Sequence, residues 1–239
     1  MGLGNRVVGI TKFCVHPSEW FASKTKVGGT KSFAFGVIDD LQPDLVIGNK
    51  EENYPEGIER LLAKYPVWLS DVNTWADAMG MISALGELTG HNAEADRLRQ
   101  QIEERFNLFS PLRARKVLYL IWQKPWMAVG KNTFIDEMLS KAGWINCVRA
   151  SRYPELSEEE MANANPDVVL LPSEPFPFQA KHAEALRLIL PKAKIRMVDG
   201  EIFSWYGSRL LLAPDYFVAV GQSMETEMPT AWTSSQKPG

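Results

Sequence analysis

Pro43-Asp44-Leu45-Val46-Ile47 and Pro166-Asp167-Val168-Val169-Leu170 are one device used twice, and their reading decides the fold. In each, a polar, helix-compatible stretch precedes the proline and a turn follows the apolar run. Proline drives the residue before it out of helical backbone, so the helix ends there. Aspartate suits the turn. A short β-branched run with no polar alternation then reads as a strand buried on both faces. Helices feeding such strands predict α/β layering around a mainly parallel sheet.

Outward from these two runs, further buried strands are expected at Arg6–Thr11, Val67–Leu69, Val117–Trp122 and Ile195–Val198. Helices are expected between them. Residues 55–64 open with Pro55 and carry Glu56 in the first turn. Residues 73–89 have Asn73 or Thr74 as a cap and Gly90 as a stop. Residues 132–142 end at Gly143, and residues 157–163 open with Ser157-Glu-Glu-Glu160, a capping box. The elements form an N-terminal lobe, 1–90, and a C-terminal lobe, 114–224, with a loose polar tail at 225–239. Between the lobes, HNAEADRLRQQIEERFNLFSPLRAR (91–115) contains no Gly and spaces Ala95, Leu98, Ile102, Phe106 and Leu108 for one amphipathic helix. About 18 residues of helix span ~27 Å. The expectation is therefore two α/β lobes joined by one long stiff backbone helix within 91–113.

Composition narrows the function. The chain has 239 residues, 45% of them hydrophobic, with a net charge of −3. It can bury one large core or two small ones. Its basic residues are scattered, which argues against a nucleic-acid surface. No apolar run reaches the ~18 residues of a membrane span. The stretch MGLGNRVVGI shows no secretory signal, so a cytoplasmic address stays open. Cys14 and Cys147 follow no metal spacing and are read as free thiols.

Catalytic arrangements are sparse. There is no GxSxG, Walker loop or HExxH. Gly28-Gly29 is read as a turn. His91 and His182 are read as surface residues, and Cys14 with His16 supplies too few ligands for a structural zinc site. Aromatic rings instead gather just beyond strands: Phe13, His16, Trp20 and Phe21; Trp122 and Trp126; Phe176 and Phe178; Phe203, Trp205 and Tyr206. Ligands of open α/β sheets bind beyond the carboxyl ends of strands. Core packing explains any one ring, but the set predicts a flat-walled cleft for a large planar ligand. Asn49, Glu51 and Glu52 end the strand after Pro43 and are either a solvated loop or partners for polar ligand groups. Glu51 and Glu52 are adjacent on an extended loop and point apart, which disfavours an acid/base pair.

RVVGITKFCVHP, VGGT (27–30), PDLVIGNKEEN (43–53), LIWQKPWMAVGKNTFIDEMLSKAG (120–143), RYPELSEEE (152–160) and DGEIFSWYGSRLLLAP (199–214) together resemble the vitamin B12-binding, helical-backbone class of ABC-importer substrate-binding proteins. The match runs in order from about residue 4 to 221. The resemblance implies two three-layer α/β lobes, a ligand clamped in the inter-lobe cleft, and no enzymatic activity, intrinsic cofactor or bound metal. It places cleft aromatics near Phe13 or His16, on Trp122 and on Tyr153, and a cleft acid on Glu201 beside Phe203 and Trp205. Where the family has an aromatic after its second strand this chain has Asn49. That departure widens the expected ligands from a corrinoid such as cobalamin to an iron or other metal chelate. The resemblance also implies Glu56 and Glu159 as docking acids for a permease dimer, a periplasmic or extracytoplasmic address, and a monomer. The family's first strand and helix have no counterpart here, so the N-terminal lobe is expected to lack a strand, leaving an edge that favours dimers. A cytosolic ligand sensor, or a corrinoid- or metal-handling enzyme on the same scaffold, is the alternative.

Overall fold

The computed structural model describes residues 1–225, and the chain divides into two compact units, 1–71 and 72 onward. Residues 226–239, most of the expected tail, lie outside the described residues; Glu225 closes the last helix.

The first unit contains β1 (Gly9–Ile10), α1 (Ser18–Ser23), β2 (Thr25–Lys26), β3 (Gly28–Gly29), β4 (Ser32–Phe33), α2 (Phe35–Leu41), β5 (Val46–Asn49), α3 (Pro55–Leu62) and β6 (Val67–Ser70). Its strands pair in twos: β1 with β2 and β5 with β6 in parallel, β3 with β4 antiparallel. Gly28-Gly29 is thus a hairpin strand, with Gly28 at φ +99°, where a side chain would strike the Ser32 carbonyl. The core here is small: Ile38, Ile58 and Leu61, against which Val27, Phe33, Phe35, Val46, Tyr65 and Val67 pack.

The second unit begins with a helical hairpin, α4 (Trp75–Thr89) and α5 (Asn92–Leu108). Thr74 caps α4 through a capping box with Asp77. Gly90 then turns left-handed (φ 72°) and the His91 amide donates to the Gly86 carbonyl, reversing the chain within one turn. The amphipathic helix expected between the lobes is therefore real and 17 residues long, but it lies back along α4.

Next come β7 (Lys116–Trp122), β8 (Met127–Ala128), α6 (Phe134–Lys141), β9 (Ile145–Asn146), α7 (Glu158–Ala164), β10 (Val168–Pro172), α8 (Ala180–Ile189), β11 (Lys194–Val198), α9 (Gly200–Ser204), a 3-10 turn (Ser208–Leu212) and α10 (Ala213–Glu225). One five-stranded sheet runs β11-β10-β7-β8, with β9 on the same edge of β7 as β8; only β8 is antiparallel. The fold class is thus mixed α/β with mainly parallel pairing. Every residue of β10 is buried, as expected of a strand covered on both faces.

The repeated proline device behaves alike in both units. The residue before each proline, Gln42 and Asn165, takes the left-handed conformation at φ 46° and ends α2 and α7. The chain then enters β5 and β10, each of which has a parallel partner.

Candidate functional site

Parallel strands emit their loops at one end, and those loops carry the candidate residues. In the first unit the loop after β1, the β3–β4 hairpin and the loop after β5 meet. The Lys12 amide donates to the Gly28 carbonyl, and the ring of Phe13 lies beside Gly29. Asn53 donates to the Thr30 carbonyl and Lys31 to that of Glu51. Phe13 is 54% exposed, with the Lys12 ammonium 5.1 Å from its ring centre, and His16 is half-buried in the same loop.

Asn49 has a building role in this loop. Its Oδ1 accepts from the amides of Glu51 and Glu52, both at 3.0 Å, and its Nδ2 donates to Ser70 Oγ at 3.0 Å. This is an Asx turn locked to the neighbouring strand. The loop itself thus uses both ends of the asparagine amide. Glu51 is half-buried and Glu52 exposed; Glu56 and Glu159 are exposed in the first turns of α3 and α7.

In the second unit the loops after β7, β10 and β11 converge. Trp122, at the end of β7 and 42% exposed, meets the edge of Phe176 from the loop after β10 (5.3 Å). Trp126 lies parallel to Phe178 at 6.5 Å and packs against the sheet core. Phe176 and Phe178 touch each other at 4.8 Å and both pack edge-on against His182, whose Nδ1 accepts from the Gln179 amide at 2.8 Å. His182 is 7% exposed, which corrects the surface assignment: the ring caps its own helix from inside an aromatic pocket.

After β11, Asp199 caps α9, accepting from the Glu201 amide, and Arg209 bridges Asp199 (3.3 Å) and Glu201 (3.1 Å). Trp205 donates from Nε1 to Glu174 Oε1 at 2.9 Å, and Ser204 Oγ donates to the same oxygen at 3.1 Å. Burial first, then the nearby Glu201 and Asp199 charges, raises the Glu174 carboxyl above its ordinary value despite these donors. Burial likewise pushes Tyr216 up to about 12 while its oxygen accepts from the Asp199 amide. Tyr153 is half-buried beneath the Arg152 guanidinium (5.3 Å), which donates to Asn73 Oδ1 and to the Asn132 carbonyl. Phe203 is fully buried among Tyr119, Trp144 and Phe217, so it is a core ring and presents no surface to a ligand.

Among the predicted residues, Trp205 and Glu201 thus share one cluster, Trp122 and Trp126 line the adjoining aromatic loops, and Phe13 and Asn49 lie at the strand ends of the other unit. Glu174 and Arg209, which tie the second cluster together, were not singled out from the sequence. The available signal was Glu174's place directly after a buried strand. Among the described residues no group of three or more His, Cys, Asp or Glu could hold a metal ion, and no helix is long and apolar enough to cross a membrane.

The sequence pattern of the periplasmic binding protein family matches residues 1–185. An uncharacterized ABC transporter substrate-binding lipoprotein of Bacillus subtilis strain 168, YvrC, is 23% identical over 192 residues, which cover 71% of this chain and 58% of that protein. The chain therefore spans less than two thirds of this curated relative. The solved structures similar in fold include the apo periplasmic heme-binding protein RhuT of Roseiflexus sp. RS-1, with a TM-score of 0.78 and 23% identity over 93% of this chain and 92% of that one. They also include the periplasmic vitamin B12-binding protein BtuF of Vibrio cholerae, at 0.71 and 17% over 95% and 92%. With well over half of its length matched by the family pattern, the chain belongs to the periplasmic binding protein family.

Proposed function

We propose that this protein is the substrate-binding component of an ABC importer, capturing a corrinoid or an iron or other metal chelate and delivering it to a permease outside the cytoplasm. The observation that carries this reading is the meeting of the loops after β7, β10 and β11 in the second unit, which sets Trp122 against Phe176 and Trp205 against Glu174, with Trp122 substantially exposed, in a member of a binding-protein family. A large ring held at a strand end with open surface costs hydrophobic free energy, and a flat ligand laid on it recovers that cost. The descriptions of RhuT, BtuF and YvrC support the ligand class and the transport role. Glu56 and Glu159, exposed in helical first turns, are available to arginines of a permease.

The test is a melting screen of the purified protein against cyanocobalamin, dicyanocobinamide, hemin and ferric hydroxamates, with titration calorimetry on any hit. One ligand should bind with 1:1 stoichiometry. At 100 times its Kd it should add about 2.7 kcal/mol of stability. A flat response to the whole panel would sink the reading.

A further inference from the structure

Glu174 is held in an unusual state for a surface carboxylate. Its Oε1 takes the Trp205 Nε1–H and shares the single proton of the Ser204 hydroxyl with the Gly200 carbonyl. Oε2 has no donor among the described residues, yet it is not sealed from solvent. The side chain is also fixed from behind. A Cβ on Gly200 would come within 2.9 Å of both Glu174 Cγ and its carbonyl oxygen, so only glycine lets α9 begin against this turn. The Gly200 amide donates to Ser173 Oγ, next to Glu174 in sequence. The indole donor, the shared serine hydroxyl and the close-packed glycine thus hold the side chain in place and leave its second oxygen in reach of solvent.

The surrounding charge is one-sided. Glu174, Asp199 and Glu201 lie together, and the guanidinium among them, Arg209, is engaged by Asp199 and Glu201. No ion pair reaches Glu174 among the described residues. Three carboxylates against one arginine leave a negative cluster, which attracts hydrogen-bond donors and repels anions.

We propose that Glu174 is a specificity-determining residue of the ligand site. Its Oε2 accepts a hydrogen bond from an amide or other N–H on the rim of a non-anionic planar or cage-like ligand lying against Trp205, and it turns away ligands that bring carboxylates there. This rests on the binding reading above and narrows it. A corrinoid rimmed with amides, or a neutral amide-bearing iron chelate, satisfies the acceptor. Heme, with two carboxylates, does not, because burying like charges together is the repulsive half of specificity.

The experiment uses three probes on the whole chain: dicyanocobinamide and ferrichrome, which are amide-bearing, and hemin, which carries two carboxylates. Tryptophan-fluorescence titration is run on the wild type and on Glu174→Gln. In the variant the glutamine oxygen can keep the Trp205 and Ser204 bonds, which turns an N–H outward where Oε2 was. Wild type should bind the better amide-bearing probe at least tenfold more tightly than hemin. Glu174→Gln should narrow that ratio at least fivefold by weakening the amide-bearing probe and strengthening hemin, with its melting temperature within a few degrees of wild type. Trp205→Phe, which removes the donor but leaves the carboxylate, should weaken both probe classes and keep the preference. Hemin bound as tightly as the amide-bearing probes by wild type, or an unchanged ratio in a folded Glu174→Gln, overturns the inference while leaving the binding reading standing. If wild type binds none of the three, the inference is overturned, and the binding reading falls with it when cyanocobalamin fails to bind as well.

Discussion

The side chain of His182 packs edge-on against the touching rings of Phe176 and Phe178, with Nδ1 accepting from the Gln179 amide. Protonation would remove that acceptor and place a charge in an apolar pocket. Burial, and then Lys181 next in sequence, accordingly lowers its pKa. A base whose folded-state pKa lies below the unfolded value of about 6.5 takes up its proton more readily in the unfolded chain. Its contribution to stability is therefore complete above about pH 6.5 and is lost as the pH falls from there toward the folded value. Melting curves at pH 7.5 and 5.5 should show a drop for wild type and a smaller one for His182→Asn, whose side-chain oxygen can still accept the Gln179 amide. Equal drops would show that the imidazole is not responsible. The sequence did not betray this burial, because a lone histidine in a helical pattern carries no sign of which ring neighbours the fold brings to it. Asn49 shows the same limit from the other side: its polarity marks it as a polar group at a strand end, but not that both ends of its amide hold the loop and Ser70.

At the scale of elements, local chemistry was legible. The capping boxes at Thr74 and Ser157, the left-handed stop at Gly90 and the proline-led entries to β5 and β10 all form where the residue types call for them. These signals lie within four residues of what they control, so no long-range partner is needed to read them. The direction of α5 was not legible, because it depends on how two helices seat on each other. That seat is at Gly86: a Cβ there would lie 2.5 Å from the Cβ of Ala95. Farther from the turn, Arg99 donates to Ser83 and Trp75 meets Phe106 edge-on at 4.6 Å, continuing the antiparallel contact. Gly80, exposed on the same helix, has nothing within 4 Å of its would-be Cβ. The two glycines therefore separate propensity from packing. Gly80→Ala should raise stability by up to about 1 kcal/mol through helix propensity alone. At Gly86 the same gain is opposed by overpacking of about 1–3 kcal/mol against a Cβ that cannot rotate away. Gly86→Ala should thus be neutral to destabilising by ~2 kcal/mol in urea unfolding. A gain at Gly86 matching that at Gly80 would mean the helices part at no cost.

Across the whole chain, the two units differ in how much core each builds for itself. The first rests on Ile38, Ile58 and Leu61 with partly buried neighbours, and each of its strands has a single partner. The second places β7 and β10 in the interior of a five-stranded sheet, where Val117, Leu118, Tyr119, Leu120 and Val168 through Leu171 are all within 1% of complete burial. Local opening free energy tracks buried apolar contact and paired backbone, and two-stranded ladders are marginal alone. Amides of β7 and β10 should therefore exchange with solvent deuterium at least tenfold more slowly than those of β1, β5 and β6, a gap of about 1.4 kcal/mol or more in opening free energy. Mass spectrometry of peptides from 44–50 and 66–71 against 116–121 and 168–172 measures it directly. Uniform protection across all four peptides would show that the chain opens as one cooperative body and that a unit's own core does not set its stability. The expected contrast bears on binding as well. The rings and carboxylates of the second cluster stand at the ends of the sheet expected to exchange slowly, so the flat ligand proposed above would meet a preformed wall there and lose little affinity to ordering it.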